Sequence, residues 1–285
     1  MDNKIARKLH DVFEPIAGNC YFAPQVQSKY REIGLSYLPG YFVSRSAAMG
    51  ILSGTAVSSI FAVFNPDIVI PSVEEGWKVT SRESVLAARL DGATESLSEH
   101  LTETPEGAQR AIEIIQSGIE NARFEGHPIF AGLMSLDFPD NLVGQLFRSC
   151  DLIREHRGDS HTLAWTSKGV DAIEISILSE GFQNIPLKTY AFTRGWSGDQ
   201  LDETIERLKS KGLVTSENKL TDKGLALRED IESLTDSMEL PILKPIEDTL
   251  EELIGILAPM SRKILENGGY PKSATNFMEI ISKNI

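Results

Sequence analysis

The sequence predicts a mainly α-helical protein: an N-terminal helical bundle over residues 1–160, a winged-helix unit with a small β wing over 161–236, and C-terminal helices over 237–285. Three observations predict it. Apolar residues recur three and four apart from Lys4 to Leu136. The period changes between Leu213 and Thr221, where two short strand-like pieces flank a polar turn. A final helical stripe carries Leu243, Ile246, Leu250, Leu253, Ile254 and Leu257.

The bundle reads as short helices separated at Gly18-Asn19, Pro24, Gly34, Pro39-Gly40, Asn65-Pro66 and Pro71. Two longer helices follow. One is capped by Ser81 and carries Val85, Leu86, Leu90, Ala93 and Leu97; the other opens at Thr104-Pro105-Glu106 and carries Ile112, Ile115 and Ile119. After Pro139 a helix with Leu142, Leu146, Cys150 and Ile153 is expected to run to Gly158. Asp159 or Ser160 is expected to cap the next, through Leu163, Val170, Ile173 and Ile177 to Gly181. Ser197 caps a helix with Leu201, Ile205 and Leu208 on one stripe, the hairpin follows, and Thr221 caps a last helix of this unit.

Composition narrows the classes. The chain has 285 residues, 41 acidic against 28 basic side chains, and a net charge of −13, so it meets nucleic-acid phosphates with repulsion. Two cysteines, Cys20 and Cys150, fit a reducing compartment rather than a disulfide scaffold, and the residues after Met1 lack an apolar signal core; a cytoplasmic location is expected. The uncharged stretch from Ser46 to Pro66 is interrupted by Gly50, Gly54 and five hydroxyl residues, which favours buried helices over a membrane span. Neither a Gly-x-Ser-x-Gly elbow nor a phosphate-cradling glycine loop is present, and no motif names a cofactor.

The helix ending "LKSKGLV" before a wing that closes on "LTDKG" resembles the winged helix of bacterial antibiotic-resistance-type regulators. With "GYFVSRSAAMG" at Gly40–Gly50, "REHRGDSH" at Arg154–His161 and "TRGW" at Thr193–Trp196, the chain up to about Asp236 resembles a largely uncharacterised actinobacterial helix-turn-helix family. The resemblance implies a winged-helix fold and, by analogy, pairing of two copies through terminal helices.

Two constellations carry the functional expectations. The first is the recognition helix, where Gln200 and Thr204 are the base-reading candidates and Arg207, Lys209 and Lys219 the phosphate contacts. Against DNA binding, its first turns carry Asp199, Asp202, Glu203 and Glu206, and Lys188–Asp230 holds eight basic and eight acidic residues. The second is the 154–161 segment. Arg157 and the lone Arg45 of the apolar region, with Tyr41, His156, Asp159, His161 and Trp196 around them, are read as a pocket for a small anionic ligand, helped by backbone N–H groups of a helix starting at Ser160. Within it the histidines set pH dependence or ligate a cofactor. The alternatives are a buried pair of Arg45 with Glu155 or Asp159, a ligand-responsive homodimeric regulator, and an enzyme or haem or metal protein using His156 or His161. In that last case Tyr21, Phe22, Tyr41, Phe42, Phe61 and Phe64 supply an apolar wall, and His156, Asp159 and His161 share an ion only across a tight turn.

Overall fold

A computed structural model describes residues 3–271, so the last part of the expected C-terminal helices lies outside the described residues. The bundle is built from α1 (Asn3–Gly18), α2 (Pro24–Glu32), α3 (Tyr37–Ser46), α4 (Gly54–Ile60), α5 (Pro66–Val79), α6 (Arg82–Leu101), α7 (Ala108–Ile119) and α8 (Pro128–Met134). The long α9 (Leu142–Ser167) leads to α10 (Ala172–Phe182), α11 (Gly198–Ser210) and α12 (Asp222–Met238), and α13 (Leu240–Leu243) and α14 (Leu250–Glu266) follow.

Local sequence explains most boundaries. Asn65 accepts a hydrogen bond from the Asp67 N–H at 2.9 Å, with Pro66 at the first helical position of α5. Ser81 caps α6, Asn141 caps α9 and Thr221 caps α12. Ser197 and Gln200 form a reciprocal capping box at the start of α11, as Asp171 and Glu174 do for α10. Three expected breaks are absent or displaced: Pro39-Gly40 lies inside α3, Pro71 lies inside α5, and α7 starts at Ala108 behind a left-handed Gly107 rather than at Thr104.

The larger correction concerns Gly158. It does not end a helix, because α9 runs unbroken through it and stops only at Lys168-Gly169. A glycine in a helix interior costs about 1 kcal/mol relative to alanine, and the packing of the residues around it on several neighbours outweighs that. Ser160 therefore starts no helix, and the backbone N–H groups expected to greet an anion there are inside the helical ladder.

The expected β wing is also corrected. Among the described residues no strand forms; the 213–221 segment holds one antiparallel bridge, Val214 with Leu220, flanked by the hydrogen bond from Thr215 N–H to the Lys219 carbonyl at 2.7 Å. The pieces are too short, and no third strand joins them. Among the described residues no helix is long and apolar enough to cross a membrane.

Two hydrophobic cores result. The first joins α1–α8 and the first half of α9 with the α13–α14 region; the second joins the end of α9 with α10, α11 and α12. The stripe from Leu243 to Leu257, expected as core or dimer seam, is buried inside the first core, where α14 packs on α1. Close approach of α2 and α6 depends on Gly92, since a Cβ there would sit 2.6 Å from the Val26 Cα.

Candidate functional site

Along α9 the polar residues of the 154–161 segment are spent on tying the helix to its neighbours. Glu155 takes Arg45 in a two-pronged pair, its oxygens 2.9 and 2.7 Å from one guanidinium nitrogen, and also accepts from the Tyr21 hydroxyl at 2.8 Å. Arg154 bridges Glu155 and Glu14 of α1, while Tyr41 donates no charge but accepts from Arg45 at 2.9 Å. Burial opposes ionisation of Glu155, but Arg45 and Arg154 outweigh it and hold its carboxyl down at about 2. The aromatic wall considered for a planar cofactor is largely self-packed: Phe42 meets Tyr41 and Phe64 edge to face, Tyr41 lies tilted against Phe64, and Arg45 lies over the Tyr21 and Phe61 rings.

The second half of the segment points elsewhere. Arg157 donates to Asp236 and Glu232 of α12 at 2.8 and 2.9 Å. His156 is buried, with Nδ1 2.8 Å from Glu239, and its ring stacks on His127 at 3.9 Å between centroids. Ser160 offers one hydroxyl proton to two acceptors, Glu239 at 2.8 Å and His127 Nε2 at 2.9 Å. Asp159 accepts from the first N–H groups of α8, Ile129 at 3.0 Å and Phe130 at 3.2 Å. Burial, with Glu155 close by, pushes Asp159 up to about 8 against those two bonds. His156, Asp159 and His161 thus face three different partners, and among the described residues no group of three acidic, cysteine or histidine side chains is arranged to hold a metal ion.

His161 differs from its neighbours, because it lines a cleft of about 300 Å³. Its other walls are Val63 from the turn before α5; Ile175, Ser176, Ser179 and Glu180 from α10; and Tyr190 and Arg194 from the loop before α11. Glu180 keeps both oxygens on backbone N–H groups of that loop, those of Lys188, Tyr190 and Ala191. Burial, then the nearby Arg228, lowers His161 to about 3, so the ring is neutral.

Arg194 is the residue that the sequence reading missed. Its guanidinium lies over the Phe64 ring, 4.8 Å from the centroid, and donates to Thr193 at 3.1 Å, but among the described residues no carboxylate pairs with it. Burial lowers its pKa. In contrast Arg45, Arg89, Arg154, Arg157 and Arg228 each meet a carboxylate within ion-pair distance. The signal for it was the "TRGW" segment, whose other members position it. Asn65 N–H and its side-chain amide donate to the Arg194 and Gly195 carbonyls at 2.9 and 3.0 Å, and Trp196 Nε1 donates to the Val63 carbonyl at 2.9 Å. Gly195 has φ +82°, and a Cβ on it would meet Ile68 at 2.6 Å, so only glycine fits the turn.

The α11 residues expected to meet DNA are placed unevenly. Thr204 is buried and donates to the Gln200 carbonyl, and Gln200 itself completes the helix cap. Arg207 folds back onto Asp171 and Glu174, and Lys209 pairs with Glu206. Only Lys219, on the turn of the hairpin, is exposed without a hydrogen bond from its ammonium group. The solvent face of α11 shows Asp199, Asp202, Glu203 and Glu206.

No curated protein and no solved structure matches the chain. Residues 6–271, nearly all of the sequence and both hydrophobic cores, match one family described as a helix-turn-helix family, and the chain belongs to that family.

Proposed function

We propose that the protein is a small-molecule-responsive member of the helix-turn-helix family, with its ligand seated in the cleft between the N-terminal bundle and the helix-turn-helix unit. One observation supports this: the cleft is walled by both cores, with Val63 and His161 on one side and α10 and the loop before α11 on the other. An occupant therefore bears on the first helix of the unit and on the entry to the second. At about 300 Å³ the cleft lies at the small end of ligand sites. The ligand position differs from the one expected around Arg157 and Arg45, whose charges are already neutralised by Asp236, Glu232 and Glu155.

The test is a thermal-shift screen of a small-metabolite library against the full chain and a Ser176→Trp variant that fills the cleft. At least one compound is expected to raise the melting temperature of the first and leave the second unmoved. If no compound does so, or both proteins respond alike, the cleft is not the ligand site.

A second reading is favoured by family membership: a DNA-reading regulator acting as a homodimer in the cytoplasm, akin to the winged-helix regulators of antibiotic resistance. The acidic face of α11 opposes it. Anisotropy of labelled duplex DNA across salt discriminates, because phosphate contacts give a steep negative log–log slope. A flat slope leaves the unit as a ligand-coupled scaffold, and a native mass of one chain removes the dimer.

A further inference from the structure

His161 and Arg194 offer the cleft two different kinds of contact. The Thr235 hydroxyl donates to the Ile231 carbonyl at 2.8 Å, so towards His161 Nδ1, 3.3 Å away, its oxygen can only accept. Nδ1 therefore carries the ring proton. The opposite nitrogen, Nε2, is left as a lone-pair acceptor on a residue that lines the cleft. Arg194 brings the complementary element, a cation with no carboxylate at ion-pair distance among the described residues, held in place by the Phe64 face and by the backbone bonds to Asn65.

The charge of the site limits the anion. Glu180 also lines the cleft, and although its oxygens are taken by backbone N–H groups, its carboxylate disfavours a second nearby negative charge. With Glu180 already beside Arg194 in the lining, every further negative charge is disfavoured, so a monoanion is accommodated more readily than a phosphate dianion. Val63 and Ile175 supply branched aliphatic walls for a short hydrocarbon body.

We infer that the cleft takes a small aliphatic hydroxy- or amino-monocarboxylate, its carboxylate on Arg194 and its O–H or N–H donated to Nε2 of His161. This rests on the cleft being the ligand site. It adds the ligand class, and it assigns Arg194 the anion contact and His161 the choice of a donor-bearing ligand. An Arg–carboxylate contact in a dry site is charge-assisted and strong enough to separate an acid from its amide.

Isothermal titration of the full chain with 6-hydroxyhexanoate, 6-hydroxyhexanamide and hexanoate tests it. The acid is expected to bind at least about tenfold more tightly than the amide, and several-fold more tightly than hexanoate. Arg194→Gln removes the acid-over-amide preference and Arg194→Lys keeps part of it; His161→Phe removes only the preference for the hydroxyl. Should a variant fail to fold, the three wild-type titrations still decide. An amide that matches the acid, hexanoate that matches the hydroxy acid, or no binding by any of the three overturns the ligand class, as does inorganic phosphate displacing the acid at equal concentration. The cleft itself falls only with the library screen against Ser176→Trp.

Discussion

The segment Arg154–His161 and the segment Thr193–Trp196 are both short, polar and rich in hydrogen-bonding groups, yet they differ in what is left over after folding. In the first, Arg154, Glu155, Arg157, Asp159 and Ser160 are buried or nearly so and each is held by a side chain or helix end of a neighbouring element. In the second, the backbone and Trp196 are pinned to Val63 and Asn65, and the guanidinium of Arg194 remains on a cleft wall with no carboxylate at ion-pair distance among the described residues. The comparison teaches that a dense polar motif marks buried wiring as readily as a binding site. Counting partners separates them.

The largest effect that would sharpen the contrast is on Glu155. Glu155→Gln leaves Arg45 and Arg154 facing a neutral amide inside the first core, and urea unfolding should show a loss of about 3–5 kcal/mol. Arg194→Gln, which breaks no ion pair, should cost far less in the same measurement; equal losses would erase the distinction between the two segments. Ser160→Ala comes next. It strips the shared hydroxyl from Glu239 and His127 in a buried setting, with an expected cost of about 1–3 kcal/mol.

An effect of comparable size depends on pH. The folded pKa of His161 is lowered to about 3 from an ordinary 6.5, so its neutral form contributes stability that is full above 6.5 and is lost as pH falls from 6.5 towards 3. Replacing it with glutamine should flatten the acid limb of stability by about 1.4 kcal/mol per pH unit between roughly 6 and 4. An unchanged acid limb would mean that His161 titrates in the folded state as it does in the unfolded chain. The smallest effect is at the surface, where Arg110 and Glu252 pair in the open at 2.8 Å. Arg110→Ala should leave the melting temperature where it is.

Much of the fold was legible because it rests on local chemistry. The capping residues Asn65, Ser81, Ser197 and Thr221, and the apolar stripes of α6, α7 and α11, all announce themselves at fixed spacing. Gly158 misled because propensity is a weak local cost and α9 is fixed by packing on α1, α7 and α12, none of which is adjacent to it in sequence. The pairing of Arg45 with Glu155 was among the expected alternatives, since a lone arginine in an apolar region needs a carboxylate. Asp236 and Glu239, which hold Arg157 and His156, lie about 80 residues further on and carried no sign of that role. Arg194 was visible as part of a motif, but that no described carboxylate reaches ion-pair distance of it is a property of three-dimensional placement alone.

The return of α14 to α1 has a consequence for synthesis. Leu9, Val12, Phe13 and Ile16 of α1 share a core with Leu250, Leu253, Leu257 and Ile264, so α1 cannot complete its packing until α14 has been made. At ribosomal speeds that wait is on the order of ten seconds or longer. The second core, drawn from residues 164–231 apart from a few bundle contacts, is available earlier, so α10–α12 can condense while the bundle that precedes them in sequence is still open. A nascent chain stalled before α14 would display an unfinished bundle beside a finished unit, and would be the form on which chaperones and proteases act.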